Sequence, residues 1–190
     1  VFVLEGDEYP SSNEDSRSKF LHYRARDVLL TSASHDHVNV FPTQSDYLKP
    51  FQALIAGLPK DGLLVVCQDE PHALALSKDA TVRSVTYALN DPSADYCAKN
   101  IRYGATTSFD LTARGKAVGS FSTQMLGAHN VQNLVGAAAW LIERELLAPA
   151  QIGAAFAAFE GVKRRMDRVT SYSRVPAYEG FGSSLDKARS

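Results

Sequence analysis

The sequence predicts an α/β domain whose mostly parallel sheet is flanked by helices and extended by a small antiparallel sheet. The segments "DVLLTSA" (27–33) and "DGLLVVC" (61–67) are short, continuous apolar runs, as expected of strands buried on both faces of a parallel sheet. Segments with helical spacing follow these strands. From residue 81 to about 125 the chain alternates apolar and polar residues between Asn, Asp, Pro and Gly, which is typical of antiparallel strands.

The composition is that of a globular protein with a real core: 190 residues, 45% of them hydrophobic and 22% charged. A formal net charge of -1 gives no indication of a nucleic acid or membrane partner. Cys67 and Cys97 lie far apart without CxxC spacing, which predicts reduced thiols in a cytoplasmic protein. No apolar run approaches the ~20 residues of a membrane-spanning helix, and the N-terminal residues lack the pattern of a signal peptide.

Along the first half of the chain, "VFVL" (1–4) predicts a buried strand, because four successive apolar residues suit a covered sheet. Since domains rarely begin in the middle of their sheet, we expect this chain to be a piece of a longer one. A helix is predicted over 43–57, with Thr43 as its N-cap and with Pro50 kinking or shortening it. The strand at 61–67 should lead into a short helix with a proline, residue 71, in its first turn.

In the second half, four alternating segments predict antiparallel strands, with "ARGK" (113–116) as a hairpin turn. The segment 129–147 has apolar residues at helical spacing, and a second helix is predicted over 150–159. After "EGVKRRMDRV" (160–169) we expect a domain boundary, followed by the first strand, turn and helix of another α/β unit.

Two polar segments follow predicted parallel strands, where open α/β sheets bind their ligands. The turn "EGDE" (5–8) offers carboxylates for a hard cation such as Mg2+, and the alternative is a solvated acidic turn. "SHDHVN" (34–39) is compatible with metal binding, although no further ligands with zinc-site spacing are evident, and the alternative is a polar surface loop.

Two further segments have the chemistry of nucleotide binding. "LGAHNVQN" (126–133) places Asn130 and Asn133 on one helix face, where amides can both donate to and accept from an adenine edge. The alternative is that Asn130 simply caps the helix. "GVKRRMD" (161–167) supplies cations suited to phosphate oxygens, or it is a basic surface run.

In this order, "EGDEY", "RSKFLHYRARDVLL", "DHVNVF", "LGAHNVQNLVGAAA" and "FEGVKRRM" resemble the Mur ligases, the ATP-dependent amide ligases of bacterial cell-wall synthesis. "EGDEY" followed by "RSKFLHYR" is most similar to the murein peptide ligase branch, and the resemblance covers most of residues 1–170. It implies most of a central ATP-binding domain over 1–166 and the start of a Rossmann-like C-terminal domain over 167–190. The family's phosphate loop, GxxxxGK[ST], is absent from this sequence and is expected upstream.

The resemblance also implies site residues. Glu5 matches the Mg2+-binding glutamate of the family's acidic motif, and His37 matches the histidine that binds a second Mg2+. His129, Asn130 and Asn133 match the HNxxN motif, with the first two expected near the adenine. Arg165 matches the arginine that reaches the ATP phosphates, and we expect Arg165 and His37 to serve catalysis.

The implied activity joins UDP-N-acetylmuramate to L-alanine or an L-alanine-containing peptide through an acyl phosphate, with ATP and Mg2+. Departures from the family pattern, such as Pro10, Asn39 and "YEGFGSS" (178–184), leave the amine substrate open. Two alternatives remain. One is a ligase of the same fold for another substrate, of folylpolyglutamate or cyanophycin type, and the other is a noncatalytic nucleotide-binding or scaffold domain.

Overall fold

The computed structural model describes residues 1–162, 165–170, 175 and 177–180, and of residues 165–168, 178 and 180 it describes the backbone only. The chain divides into two compact units, the first being Val1–Tyr87 and the second beginning at Ala88. In this part of the chain, none of the helices has the length and apolar character that crossing a membrane requires.

The first unit is built on parallel strands joined by helices. Its elements are a short 3-10 helix at Lys19–His22, β1 at Asp27–Leu30, α1 at Gln44–Ala56, β2 at Leu63–Cys67, α2 at Pro71–Ser77 and β3 at Arg83–Leu89, whose last two residues belong to the second unit. Strand β1 pairs with β2 from Asp27↔Leu63 to Leu30↔Val66, and β2 pairs with β3 from Leu63↔Arg83 to Cys67↔Tyr87. Parallel neighbours need a crossover connection, which α1 and α2 provide.

Strand β2 lies at the centre of this unit's core. Its five residues are at most 1% exposed, because the strand is paired along both edges and covered by helices. Leu64 and Val66 share a buried cluster with Phe51 and Ile55 of α1 and with Ala73 of α2. The continuous apolar run therefore predicted this strand correctly.

Helix α1 begins as predicted, since the Thr43 side chain accepts a hydrogen bond from the backbone amide of Asp46. The helix continues past Pro50, which does not shorten it. Gln52, which follows the buried Phe51, is exposed. The buried positions recur every fourth residue, at Tyr47, Phe51 and Ile55.

Residues 1–4 form no strand, so the prediction for "VFVL" is wrong for the described structure. Their side chains are 61–97% exposed. A strand needs a hydrogen-bonded neighbour as well as a suitable composition, and no described strand pairs with these residues.

The second unit combines an antiparallel meander with helices. Its elements are β4 at Tyr96–Arg102, β5 at Thr107–Ala113, β6 at Lys116–Thr123, α3 at Ala128–Glu143, α4 at Pro149–Ala158, β7 at Arg165–Arg168 and β8 at Tyr178–Gly180. Strands β4, β5 and β6 pair in chain order. Arg114 and Gly115 form the predicted hairpin turn with φ values of 47° and 76°, as a two-residue type I′ turn requires.

One of the four segments predicted to be antiparallel behaves differently. Strand β3 pairs in parallel with β2, so it continues the parallel sheet of the first unit. Its alternating pattern arises because its first residues, Arg83 and Ser84, are exposed whereas Val85 and Tyr87 are buried. In β3 the alternation reflects the partial exposure of the strand and does not indicate whether its pairing is parallel or antiparallel.

Helix α3 buries the apolar face that its spacing predicted, including Val131, Leu134, Val135 and Ala138. Helix α4 packs on β6, where the rings of Phe156 and Phe121 lie 5.8 Å apart. At the end of the described chain β7 pairs with β8 in antiparallel orientation. The turn and helix predicted after residue 180 lie outside the described residues, and the boundary between 1–166 and 167–190 stays a prediction.

Candidate functional site

The loop after β1 is fastened by a carboxylate at the start of α2. Glu70 is the N-cap of that helix, and its Oε2 accepts from the Ala73 amide at 2.8 Å. The same carboxylate accepts from the Ala33 amide at 3.0 Å and from the Ser34 hydroxyl at 3.1 Å. Glu70 thus fixes the start of the segment that carries His37. This role of Glu70 was not predicted from the sequence, although a position directly before a proline such as Pro71 is typical of a helix N-cap.

His37 lies in this loop against the acidic turn. Its Nε2 is 3.0 Å from Oε1 of Glu8, and the ring of Tyr9 meets the imidazole edge-on with centroids 4.4 Å apart. The backbone of His37 adopts a φ of 54°, which non-glycine residues rarely take. Its amide donates to Oδ1 of Asp36 at 2.8 Å, which holds this conformation. Glu8, Tyr9 and Asp36 therefore determine where the imidazole lies.

Glu8 is held as firmly as His37. The Tyr47 hydroxyl donates to Oε1 of Glu8 at 3.0 Å, and the Ser18 hydroxyl donates to the Glu8 carbonyl at 2.6 Å. Burial and the neighbouring Glu8 charge raise the pKa of Tyr47, so its phenol stays protonated and remains a donor. The Glu8 side chain is 16% exposed and that of His37 is 27% exposed. We call Glu8, Tyr9, His37 and Tyr47 the Glu8 cluster.

The other two carboxylates of the acidic turn have different surroundings. Asp7 forms an ion pair with Lys19 at 2.7 Å and accepts from the Tyr9 amide at 2.9 Å. The hydrogen bond from Lys19 holds the pKa of Asp7 below its usual value. Asp7 therefore stabilises the turn. Glu5 is exposed, and the carboxylate that contacts His37 is Glu8. The assignment of Glu5 to a metal ion stays a prediction.

The donor set around His37 can be compared with what Mg2+ requires. Among the described residues, no group of three or more His, Cys, Asp or Glu side chains is arranged to hold a metal ion. Mg2+ nevertheless often takes only one or two protein ligands and completes its shell with water and substrate phosphates. An imidazole beside the carboxylates of Glu8 and Asp36 is compatible with such a partial site.

The second group of predicted residues lies at the start of α3, in the second unit. The N-cap is Gly127, with a φ of 87°, so the alternative in which Asn130 caps the helix is wrong. The Nδ2 of Asn130 instead donates to the carbonyl of Leu126 at 2.7 Å. A Cβ on residue 127 would lie 2.8 Å from Cε1 of His129, so the imidazole lies over the glycine. Asn133 is exposed one turn further on.

A mainly apolar recess adjoins this helix start, lined by Tyr103, Thr107, Leu126, Gly127 and Ala128. Tyr103 is 54% exposed. A flat aromatic ring can stack on such a side chain, while the neighbouring amide of Asn130 supplies polar contacts. The arrangement therefore offers an apolar wall beside a hydrogen-bonding group, as a purine base requires.

Arg165 begins β7, and its backbone pairs with that of Gly180. Its side chain lies outside the described residues, so its contact with phosphates stays a prediction. Contacts of His129, Asn130 and Asn133 with a nucleotide also stay predictions.

Comparison with known proteins links both groups of residues to one family. Residues 1–141 match the Mur ligase middle domain. The UDP-N-acetylmuramate–L-alanine ligase of Sorangium cellulosum is 32% identical over 193 residues, an alignment that covers 97% of this chain and 40% of the relative. The chain thus spans well under half the length of this curated relative.

Solved structures show the same fold. The ligase of Neisseria meningitides that acts on UDP-N-acetylmuramate and L-alanyl-γ-D-glutamyl-meso-diaminopimelate has a TM-score of 0.72 and 26% identity, covering 86% of this chain and 49% of that one. A mutant of L. casei FPGS also has a TM-score of 0.72, at 13% identity, covering 98% and 45% of the two chains. The second likeness concerns the fold alone. The α/β prediction, with a mostly parallel sheet and an antiparallel addition, is confirmed.

Proposed function

The chain belongs to the Mur ligase family, and from this premise we propose that its parent protein is an ATP-dependent amide ligase of peptidoglycan synthesis or recycling. Its acid substrate is UDP-N-acetylmuramate, and its amine substrate is L-alanine or a peptide that begins with L-alanine, the substrates in the names of its relatives. The observation that carries the proposal is the match over residues 1–141, because it includes both the Glu8 cluster and the start of α3.

The reaction has two steps. A carboxylate oxygen of the muramoyl group attacks the γ-phosphorus of ATP, ADP leaves, and an acyl phosphate forms. The amine then attacks the acyl carbon, and the tetrahedral intermediate expels phosphate to leave an amide and a proton. Phosphoryl transfer of this kind depends on positioning and on cationic groups around the phosphates, not on a covalent nucleophile of the protein.

The residues divide this work between them. Mg2+, when bound, would neutralise charge on the phosphate oxygens. Glu5 is the residue that would hold one ion, and His37 is the residue that would hold a second. Arg165 binds the ATP phosphates while the γ-phosphoryl group is transferred. Asn130 keeps Oδ1 as an acceptor for the exocyclic amine of adenine, because its Nδ2 already donates to the Leu126 carbonyl.

A same-fold ligase for another substrate is the nearest alternative. The fold does not decide between them, since the FPGS chain has the same TM-score as the muropeptide ligase. The 32% identity to a UDP-N-acetylmuramate–L-alanine ligase favours the muramate substrate.

The test uses the complete gene product with ATP, Mg2+ and UDP-N-acetylmuramate, and with either L-alanine or L-alanyl-γ-D-glutamyl-meso-diaminopimelate. We expect phosphate release that requires all components and is fast with one of the two amines. No release with either amine would overturn the substrate assignment. Release with a folate and glutamate instead would select the alternative, and failure to bind or hydrolyse ATP under any condition would select a scaffold.

A further inference from the structure

We propose that Glu8 is a positioning residue for His37: its carboxylate accepts the Nε2 hydrogen and thereby presents Nδ1 to the metal ion. The proposal rests on the proposed function, in which His37 holds Mg2+. It adds a residue for which the family resemblance gave no role.

The geometry selects one nitrogen of the imidazole. Nε2 lies 3.0 Å from Oε1 of Glu8, within hydrogen-bond distance, whereas Nδ1 lies 3.9 Å from its nearest carboxylate, Oδ1 of Asp36, which is too far for a hydrogen bond. A neutral imidazole has one N–H and one lone pair. Glu8 therefore favours the tautomer with hydrogen on Nε2, and this tautomer leaves the Nδ1 lone pair for a cation.

The carboxylate can impose this choice because it is itself fixed. Tyr47 donates to the same Oε1, which lies on a side chain that is 16% exposed. The Glu8 backbone is tied to Ser18, and Tyr9 packs against the imidazole. A 180° flip of the ring would put Cε1 in the place of Nε2 and would break the Glu8 contact.

General metal-site chemistry supports the same role. A histidine that binds a metal usually donates its other N–H to a carboxylate or carbonyl, which fixes the tautomer and raises the basicity of the ligating nitrogen. The left-handed backbone of His37 is a second sign that the position is determined by its surroundings, since such a φ persists only where neighbouring contacts enforce it.

The first measurement is the tautomer of His37 in the complete gene product labelled with 15N-histidine, by long-range 1H–15N NMR without metal. We expect hydrogen on Nε2 in the wild type and a mixture of tautomers in Glu8→Ala. The matched control is Glu14→Ala, which removes an exposed carboxylate from the same loop and should leave the His37 signals unchanged. Hydrogen on Nδ1 in the wild type, or no change in Glu8→Ala, would overturn the proposal.

The second measurement is the affinity for Mn2+ alone, followed by the loss of its free electron paramagnetic signal. We expect Glu8→Ala to weaken binding about 10- to 100-fold, the usual effect of losing such a partner, and Glu8→Gln, which keeps an acceptor oxygen, to weaken it less. In a His37→Ala background, Glu8→Ala should have no further effect. A further loss in that background would show that Glu8 is a ligand in its own right and would overturn the positioning role.

The two proposals fail in distinguishable ways. If His37→Ala leaves Mn2+ affinity unchanged, His37 is not a metal ligand, and both that part of the proposed function and the positioning role are wrong. If His37→Ala weakens binding but Glu8→Ala does not, the metal role of His37 stands and only the role of Glu8 is wrong.

Discussion

Helix α3 carries the predicted adenine-binding residues, and one buried carboxylate near its C-terminal end fastens it to β4. Oε1 of Glu143 accepts from the Tyr96 hydroxyl at 2.6 Å and from Nη2 of Arg114 at 2.7 Å. The Glu143 side chain is 3% exposed, and Tyr96 is 1% exposed. We predict that Glu143→Ala loosens α3, because it removes the acceptor of a buried hydroxyl.

The magnitude follows from the surroundings of each donor. Leaving the buried Tyr96 hydroxyl without an acceptor costs about 1–3 kcal/mol. The Arg114 side chain is half exposed, so water replaces much of its bond and the loss is about 0–1 kcal/mol. We expect Glu143→Ala to destabilise α3 by about 2–3 kcal/mol and Glu143→Gln, which keeps an acceptor oxygen, by about 1 kcal/mol.

Hydrogen–deuterium exchange of peptides from residues 128–143 measures this effect directly. A loss of about 2–3 kcal/mol corresponds to exchange about 30- to 150-fold faster. In a Tyr96→Phe background, Glu143→Ala should accelerate exchange far less, since no hydroxyl is then left without a partner. Exchange within about threefold of wild type in Glu143→Ala, or equal effects of the Ala and Gln variants, would refute this reasoning.

Three further predictions concern single residues. Tyr87→Phe should leave the free energy of unfolding unchanged or raise it by up to about 1 kcal/mol in urea titrations, because the buried Tyr87 hydroxyl makes no hydrogen bond of good geometry in the described part of the chain and has only the thiol of Cys67, a weak partner, beside it. A loss above about 1.5 kcal/mol would contradict this. Gly127→Ala should lower the free energy of unfolding by about 1–2 kcal/mol, because residue 127 has a φ of 87°. It should also raise the KM for ATP several-fold, since the added Cβ would displace the His129 ring. An unchanged KM would count against adenine binding at the start of α3. The Lys19 hydrogen bond lowers the pKa of Asp7 from 3.8, so the pair stabilises the fold above about pH 4 and this contribution is lost as the pH falls further. Between pH 6 and pH 3 the wild type should therefore lose more stability than Asp7→Asn. Equal losses in the two proteins would contradict this prediction.

Local patterns predicted the elements of this chain well where packing agrees with composition. The run at 63–67 forms a buried central strand, and the apolar stripe from Val131 to Ala138 forms the buried face of α3. The pattern was misleading where pairing decides the outcome. Residues 1–4 have the composition of a strand without a described neighbour, and β3 alternates although it is parallel to β2.

In the candidate site, too, some residues could be identified from the sequence and others could not. The sequence singled out His37 and Asn130 because their types and motif positions are informative. It gave no role to Glu8 or Glu70, since their partners, Tyr47 and Ala33, lie 39 and 37 residues away along the chain. Contacts over such separations are set by the fold and leave no local pattern.

The central claim, that the reaction passes through an acyl phosphate, is tested most directly by following the carboxylate oxygens of UDP-N-acetylmuramate. The complete gene product is incubated with ATP, Mg2+, the accepted amine and UDP-N-acetylmuramate in which both carboxylate oxygens are 18O, and the released phosphate is examined by 31P NMR. An acyl phosphate intermediate predicts one 18O atom in each phosphate, because amine attack expels the oxygen that joined carbon to phosphorus. Product formation with unlabelled phosphate would contradict the account.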